Sequence, residues 1–305
     1  MTVDWRGVFP AVTTKFKEDF SLDVAAMERH FQAQLDAGVH GVIVSGSLGE
    51  SSTLTFAEKL DVLRVAVSVC GGRVPVLAGV AERRTIDACE FVKEGVAAGA
   101  DGFMVLPPMQ YKSDRRETIH HFRTVAAASD RPIMIYNNPV AYAVDVTPDM
   151  FVELADDPTF VALKESSDDV RRVTEIIRLV GDRYQVFTGV DNLALESLLM
   201  GAVGWVAGLV CAFPEETVAV YELAMAGRLD EARAIYRWFR PLLDLDVSTK
   251  LVQNIKIAEV MTGLGTEQVR PPRLPLVGEE RARVVRVIEA ALAVRPALPT
   301  PAAHP

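Results

Sequence analysis

The sequence predicts an α/β chain that closes into a (β/α)8 TIM barrel with a C-terminal helical extension. Three observations carry this reading: eight short β-branched runs, helical segments between them, and helices alone after the eighth run. The runs recur about every 20 to 35 residues, which is room for a strand, a helix and two loops.

The first run is GVFPAVT from Gly7. A helix over Asp23 to Ala37 follows, with Val24, Met27, Phe31 and Leu35 on one face and Gly38 at its end. GVIVSG from Gly41 is the second run, and Thr55 with Glu58 forms a capping box for FAEKLDVLRVAVSVC. PVLAGV from Pro75 leads to a helix over Asp87 to Ala98. GFMVLPP from Gly102, PIMIYNNP from Pro132, FVALKESS from Phe160 and YQVFTGV from Tyr184 continue the series. A helix over Leu193 to Met200 then precedes GWVAGLV from Gly204. Nearly continuous apolar strands alternating with helices describe a parallel sheet covered on its faces. An open doubly wound sheet is the competing arrangement, but eight units is the barrel's number.

Helices are then expected over Glu215 to Ala226, Asp230 to Leu243, Thr249 to Thr262 and Glu279 to Val294. A barrel needs one helix after its last strand. The expected organisation is therefore a barrel over residues 1–225, a helical extension over 226–295 and a disordered Pro/Ala-rich tail over 296–305.

Composition narrows the function. The 305 residues are half hydrophobic and carry a net charge of −9, spread along the chain. That disfavours nucleic acid and anionic membranes as partners. Cys70, Cys89 and Cys211 are far apart with no C-x-x-C spacing, which reads as thiols in a reducing cytoplasm. No signal peptide and no membrane-length apolar run is read, so the cytoplasm is the expected location. The five histidines show no metal-ligand spacing, and no metal is expected; His120 and His121 point apart on a helix.

In a barrel the chemistry sits at the C-terminal strand ends. Lys164 closes the sixth run, and Tyr136 falls at the equivalent place in the fifth. A lysine against low-dielectric walls loses its proton readily, and its free amine attacks carbonyls and imines. The plainer alternative is an ion pair with Glu165 or Glu50. The other seven lysines lie in polar or helical contexts. Tyr136 is either a proton shuttle beside an iminium or a core tyrosine capping its strand. The Gly46–Leu54 segment GSLGESSTL offers backbone N–H groups before a helix, suited to a carboxylate or phosphate, without the lysine of a P-loop.

GSLGES, YNNP and LKESS, each at the end of its strand, resemble the dihydrodipicolinate synthase / N-acetylneuraminate lyase family of Schiff-base enzymes. The resemblance covers nearly the whole chain. It implies that Lys164 forms an imine with a 2-oxo acid and that Tyr136 relays protons. It places the 2-oxo carboxylate at Ser47 and the Leu48 N–H, and the pocket border at Gly189 and Val206. It also implies no cofactor beyond the covalent Schiff base, and a homotetramer built as a dimer of dimers.

Departures bear on the substrate. The resemblance expects two threonines where Ser47 and Leu48 stand, an interface tyrosine near Met109, and a carboxylate-gripping arginine near Ala141. Lacking these, the chain looks more like the Δ1-pyrroline-4-hydroxy-2-carboxylate deaminases, which act on a cyclic imine carboxylate. A 2-keto-3-deoxy sugar acid aldolase or dehydratase, dihydrodipicolinate synthase itself, and a silent barrel kept as a binding subunit are the alternatives.

Overall fold

A computed structural model describes residues 3–299; the last six positions of the expected tail, 300–305, lie outside the described residues. The strands are β1 (Gly7–Pro10), β2 (Val42–Val44), β3 (Val76–Val80), β4 (Gly102–Val105), β5 (Ile133–Asn137), β6 (Phe160–Glu165), β7 (Gln185–Thr188) and β8 (Gly204–Ala207). Between them run α1 (Val24–Asp36), α2 (Phe56–Cys70), α3 (Thr85–Ala97), α4 (Arg115–Ala126), α5 (Pro139–Tyr142), α6 (Pro148–Leu154), α7 (Arg171–Val180) and α8 (Ala194–Leu199). After β8 come α9 (Pro214–Met225), α10 (Leu229–Leu243), α11 (Leu251–Met261) and α12 (Gly278–Leu292). All eight runs read from the sequence are strands, and the helix start argued from a cap holds, Thr55 with Glu58 boxing α2; the structure adds a cap for α1, where Asp23 accepts the Ala26 N–H.

All strand pairs are parallel, β2 to β8 follow sequence order, and β8 returns to β1. A bridge from Ala11 to Ile43 and the His40 N–H to Val8 carbonyl bond (2.9 Å) hold the remaining seam between β1 and β2. The barrel is therefore closed. Each strand sends a buried side chain inward: Phe9, Ile43, Leu77, Met104, Met134, Ala162, Phe187 and Val206. These fill the interior as a packed layer, leaving the chemistry to the rim above it.

One local reading needs correction, and one strand departs from regular pairing. The buried face of α1 comprises Ala26, Met27, His30, Phe31 and Gln34, while Val24 is exposed. Two polar side chains belong to it because they meet the carbonyl of Cys211: His30 Nε2 at 2.9 Å and Gln34 Nε2 at 3.4 Å. Strand β6 does not alternate simply either. Ile133 pairs with Phe160 but Met134 with Ala162, so the ladder slips by one residue. That irregularity puts Ala162 and Lys164 inside the barrel while Phe160 stays outside, whereas strict alternation would keep all three on one face.

The extension is tied to the barrel mouth rather than hung from it. Tyr236 of α10 donates to the Asp191 carbonyl (3.3 Å), and Trp238 donates to Ala291 in α12 (2.9 Å). Helix α11 inserts two charges: Lys256 pairs with Glu50 and Glu259 with Lys15, both at 2.6 Å and all four fully buried. Among the described residues no helix is long and apolar enough to cross a membrane.

Candidate active site at the barrel mouth

Tyr136 and Lys164 are direct partners in the β5–β6 ladder, so both project inward at the same height. The lysine nitrogen lies 4.2 Å from the centre of the Tyr136 ring. Lys164 is 6% exposed and makes no hydrogen bond or ion pair within the described residues. Neither carboxylate suggested by the sequence takes it. Glu50 is held by Lys256 and the Arg270 N–H, and Glu165, on the outer face of β6, by Asn137 and the Ser167 N–H. Burial pushes the Lys164 pKa down, opposed in part by Asp246, Tyr142 and Asp191. Not every other lysine is solvated: Lys15, Lys59 and Lys256 are buried, but each reaches a glutamate at 2.6 Å. Lys164 differs in having none.

The YNNP segment builds the wall beside it. Asn138 accepts the Ala141 N–H (2.9 Å) as the cap of α5, and Pro139 begins that helix, where its missing N–H costs nothing. The same Asn138 donates its amide to the Tyr136 hydroxyl (3.0 Å). Asn137 points the other way and accepts the Val146 N–H (2.8 Å), holding the following loop. Burial raises Tyr136 to about 12, so the phenol is neutral and able to donate at pH 7.

Ser47 lies in the β2 loop with Ser45 and Glu50, both in the left-handed region at φ +55° and +56°. Non-glycine residues there store strain, which the buried Glu50–Lys256 pair is placed to hold. Leu48 turns its side chain into the core outside the barrel, and its N–H donates to no group among the described residues. Gly189 follows β7 directly beneath the lysine: a Cβ there would come within 2.3 Å of Lys164 Cε and 2.1 Å of Ser166 Oγ. Val206 lies lower, in the inner layer, 1% exposed.

Three residues were missed, Tyr142, Arg273 and Asp246, while Asp191 falls among the strand ends where the chemistry is expected. Tyr142, six positions after Tyr136, forms a short hydrogen bond with Ser47 Oγ, and its ring meets Tyr136 edge-on at 6.0 Å. A phenol therefore stands at Ser47 from the same chain, and burial raises it to about 12. Arg273, in the loop after α11, lies 4.0 Å from Glu50 and close enough to act on Tyr142. The pocket thus has a second hydroxyl and a rim guanidinium, although Met109 and the exposed Ala141 supply neither. On the opposite side, Asp191 accepts from Trp205 Nε1 (2.9 Å), Gly208 N (3.1 Å) and Leu209 N (2.7 Å). Asp246, beyond α10, presses against Gly208. Only the YNNPVAY spacing hinted at Tyr142; Arg273 and Asp246 come from distant segments that sequence spacing cannot join.

The fold also gathers His30, Cys211 and Glu259, whose ligand-type atoms lie within 4.8 Å of one another. Lys15 and Thr13 already neutralise and hydrogen-bond Glu259, each at 2.6 Å, so the trio reads as a buried ionic cluster.

The Dihydrodipicolinate synthetase family model matches residues 4–291. A 4-hydroxy-tetrahydrodipicolinate synthase of Methanospirillum hungatei is 36% identical over 275 residues, 89% of this chain and 93% of that protein. An uncharacterized DapA-like lyase of Rhizobium meliloti is 32% identical over 293 residues, 94% and 97% of the two chains. Among solved structures, dihydrodipicolinate synthase from Aquifex aeolicus superposes with a TM-score of 0.89 at 31% identity, covering 94% of this chain and 98% of that one.

Proposed function

The chain belongs to the dihydrodipicolinate synthetase family, whose enzymes work through a covalent lysine Schiff base without a cofactor, and on that premise we propose that it is a Δ1-pyrroline-4-hydroxy-2-carboxylate deaminase with Lys164 as the Schiff-base amine. The observation that carries the lysine's role is its burial beside Tyr136 without any ion pair. The charge distribution supports the substrate. The Ser47, Leu48 N–H and Arg273 side suits a carboxylate, and the Asp191 and Asp246 side suits a nitrogen cation. One small molecule carrying both spans the lysine.

In this reading the Lys164 amine bonds to C2 of the ring, and the C2–N bond breaks to leave a Schiff base and a free amine on C5. Loss of a C3 proton gives the enamine, and the 4-hydroxyl departs as water with a proton from Tyr136. Tautomerisation moves unsaturation to C5=N. Two waters then hydrolyse the C5 imine and the lysine imine, giving ammonia, 2-oxoglutarate semialdehyde and free Lys164. The sum is one water consumed per turnover.

The synthase names of curated relatives favour a second reading, 4-hydroxy-tetrahydrodipicolinate synthase, and the Ser47–Tyr142–Tyr136 hydroxyls fit it as well. The family is generally tetrameric, although one solved relative is described as a monomeric variant; a homotetramer, as a dimer of dimers, is our inference for this chain. Borohydride trapping with mass mapping separates the readings. Labelling of Lys164 by the hydroxylated cyclic imine, with ammonia released, supports the deaminase. Labelling by pyruvate alone, followed by aldehyde condensation, supports the synthase or a sugar-acid aldolase. A Lys164→Ala variant as active as the parent would sink the Schiff-base mechanism.

A further inference from the structure

Asp246 reaches the mouth from the segment after α10, and its carboxyl accepts no hydrogen bond among the described residues. Its position follows from two glycines. A Cβ at Gly208 would lie 2.2 Å from Asp246 Oδ1, and a Cβ at Gly189 would lie 2.3 Å from Lys164 Cε. Each glycine directly follows its strand, β8 and β7, which are neighbours about 4.8 Å apart. The carboxyl and the amine therefore lie over adjacent strand ends. Two further buried polar groups bound the same space. Lys164 makes no hydrogen bond or ion pair among the described residues, and Ser166 Oγ, in a residue only 3% exposed, makes no hydrogen bond there either. Asp191 does not compete for the role, since its oxygens are occupied by Trp205, Gly208 and Leu209.

We propose that Asp246 meets the substrate's nitrogen: it protonates that nitrogen as the C2–N bond opens and then holds the resulting ammonium as a carboxylate. The inference rests on the cyclic-imine reading above. In the exchange the Lys164 lone pair bonds to C2, and the C2=N electron pairs end on the departing nitrogen. Lys164 passes both its hydrogens to that nitrogen, and Asp246 supplies the third. The products are a neutral Lys164 imine, an alkylammonium and the Asp246 carboxylate. Burial and the nearby Asp191 raise the Asp246 pKa well above the usual carboxyl value, and burial lowers that of Lys164. A protonated acid beside a free amine is the starting state the exchange requires.

The test compares two probes that share a five-carbon chain and lack the 4-hydroxyl, so that it does not depend on deamination. 1-Pyrroline-2-carboxylate opens to an amine-bearing chain; 2-oxopentanoate carries none. Reductive trapping on Lys164 is measured for both, in the parent and in Asp246→Asn. The parent is expected to trap the cyclic imine at least ten-fold faster, and the variant is expected to lose that preference ten-fold or more. An unchanged ratio in the variant overturns the proposal. So does a parallel loss with both probes, which would make Asp246 a counter-ion for the lysine alone. No preference in the parent overturns it without any variant. If the preference holds but the hydroxylated imine yields no ammonia, the deaminase reading fails and the recognition role stands.

Discussion

Lys164 and Tyr136 face each other across the β5–β6 ladder, with the lysine nitrogen 4.2 Å from the phenol ring centre. The ring face attracts the ammonium while burial opposes it, and burial is the larger effect on its proton. Removing only the hydroxyl separates packing from proton transfer. Tyr136→Phe keeps the ring against the inner layer and is expected to lower kcat by about 10²- to 10⁴-fold. Tyr142→Phe is expected to cost less, because Ser47 and Tyr136 remain. Steady-state ammonia release, with thermal melts to confirm an intact fold, checks both.

Gly189→Ala tests the lysine's path. The new methyl would meet Lys164 Cε and Ser166 Oγ, two side-chain groups at the reacting centre. The expected result is slower Schiff-base formation in pre-steady-state trapping, with a stability loss of about 1–3 kcal/mol from overpacking in urea unfolding.

The Glu50–Lys256 pair is fully buried, so Glu50→Gln leaves an ammonium without its counter-charge. The expected loss is about 3–5 kcal/mol in urea unfolding. A rise in KM should accompany it, since Glu50 anchors the loop carrying Ser47. Replacing both partners with apolar residues of similar size should recover stability better than KM.

His121 is buried on α4 beside Thr85 and the Leu106 carbonyl, and burial lowers its pKa to about 4. Between the ordinary value of 6.5 and about 4, the unfolded chain holds a proton that the folded one does not. Stability attributable to this group therefore rises with pH through that window and falls on acidification, by up to about 1.4 kcal/mol per pH unit. His121→Gln should flatten the acid limb of a urea-midpoint profile over this range; an unchanged slope would refute the assignment.

Much of the molecule was legible in the chain itself. Eight apolar runs, spaced by helices with a readable capping box at Thr55, specify the alternation, and a parallel sheet of eight closes. The lysine at the end of FVALKE and the tyrosine of YNNP were visible because charge and phenol stand out at the end of apolar strands. Tertiary structure alone decided three things. The slip in β6 turned Lys164 inward, a property of pairing register that a single strand does not carry. The burial of Lys15 and Lys256 depends on glutamates more than 200 residues away in sequence. And Tyr142, Arg273 and Asp246 line the mouth because a short helix and two loops of the extension fold over it. Local periodicity reports which face of an element is buried. It does not report which distant side chain arrives there, because that is settled by packing and charge pairing between elements.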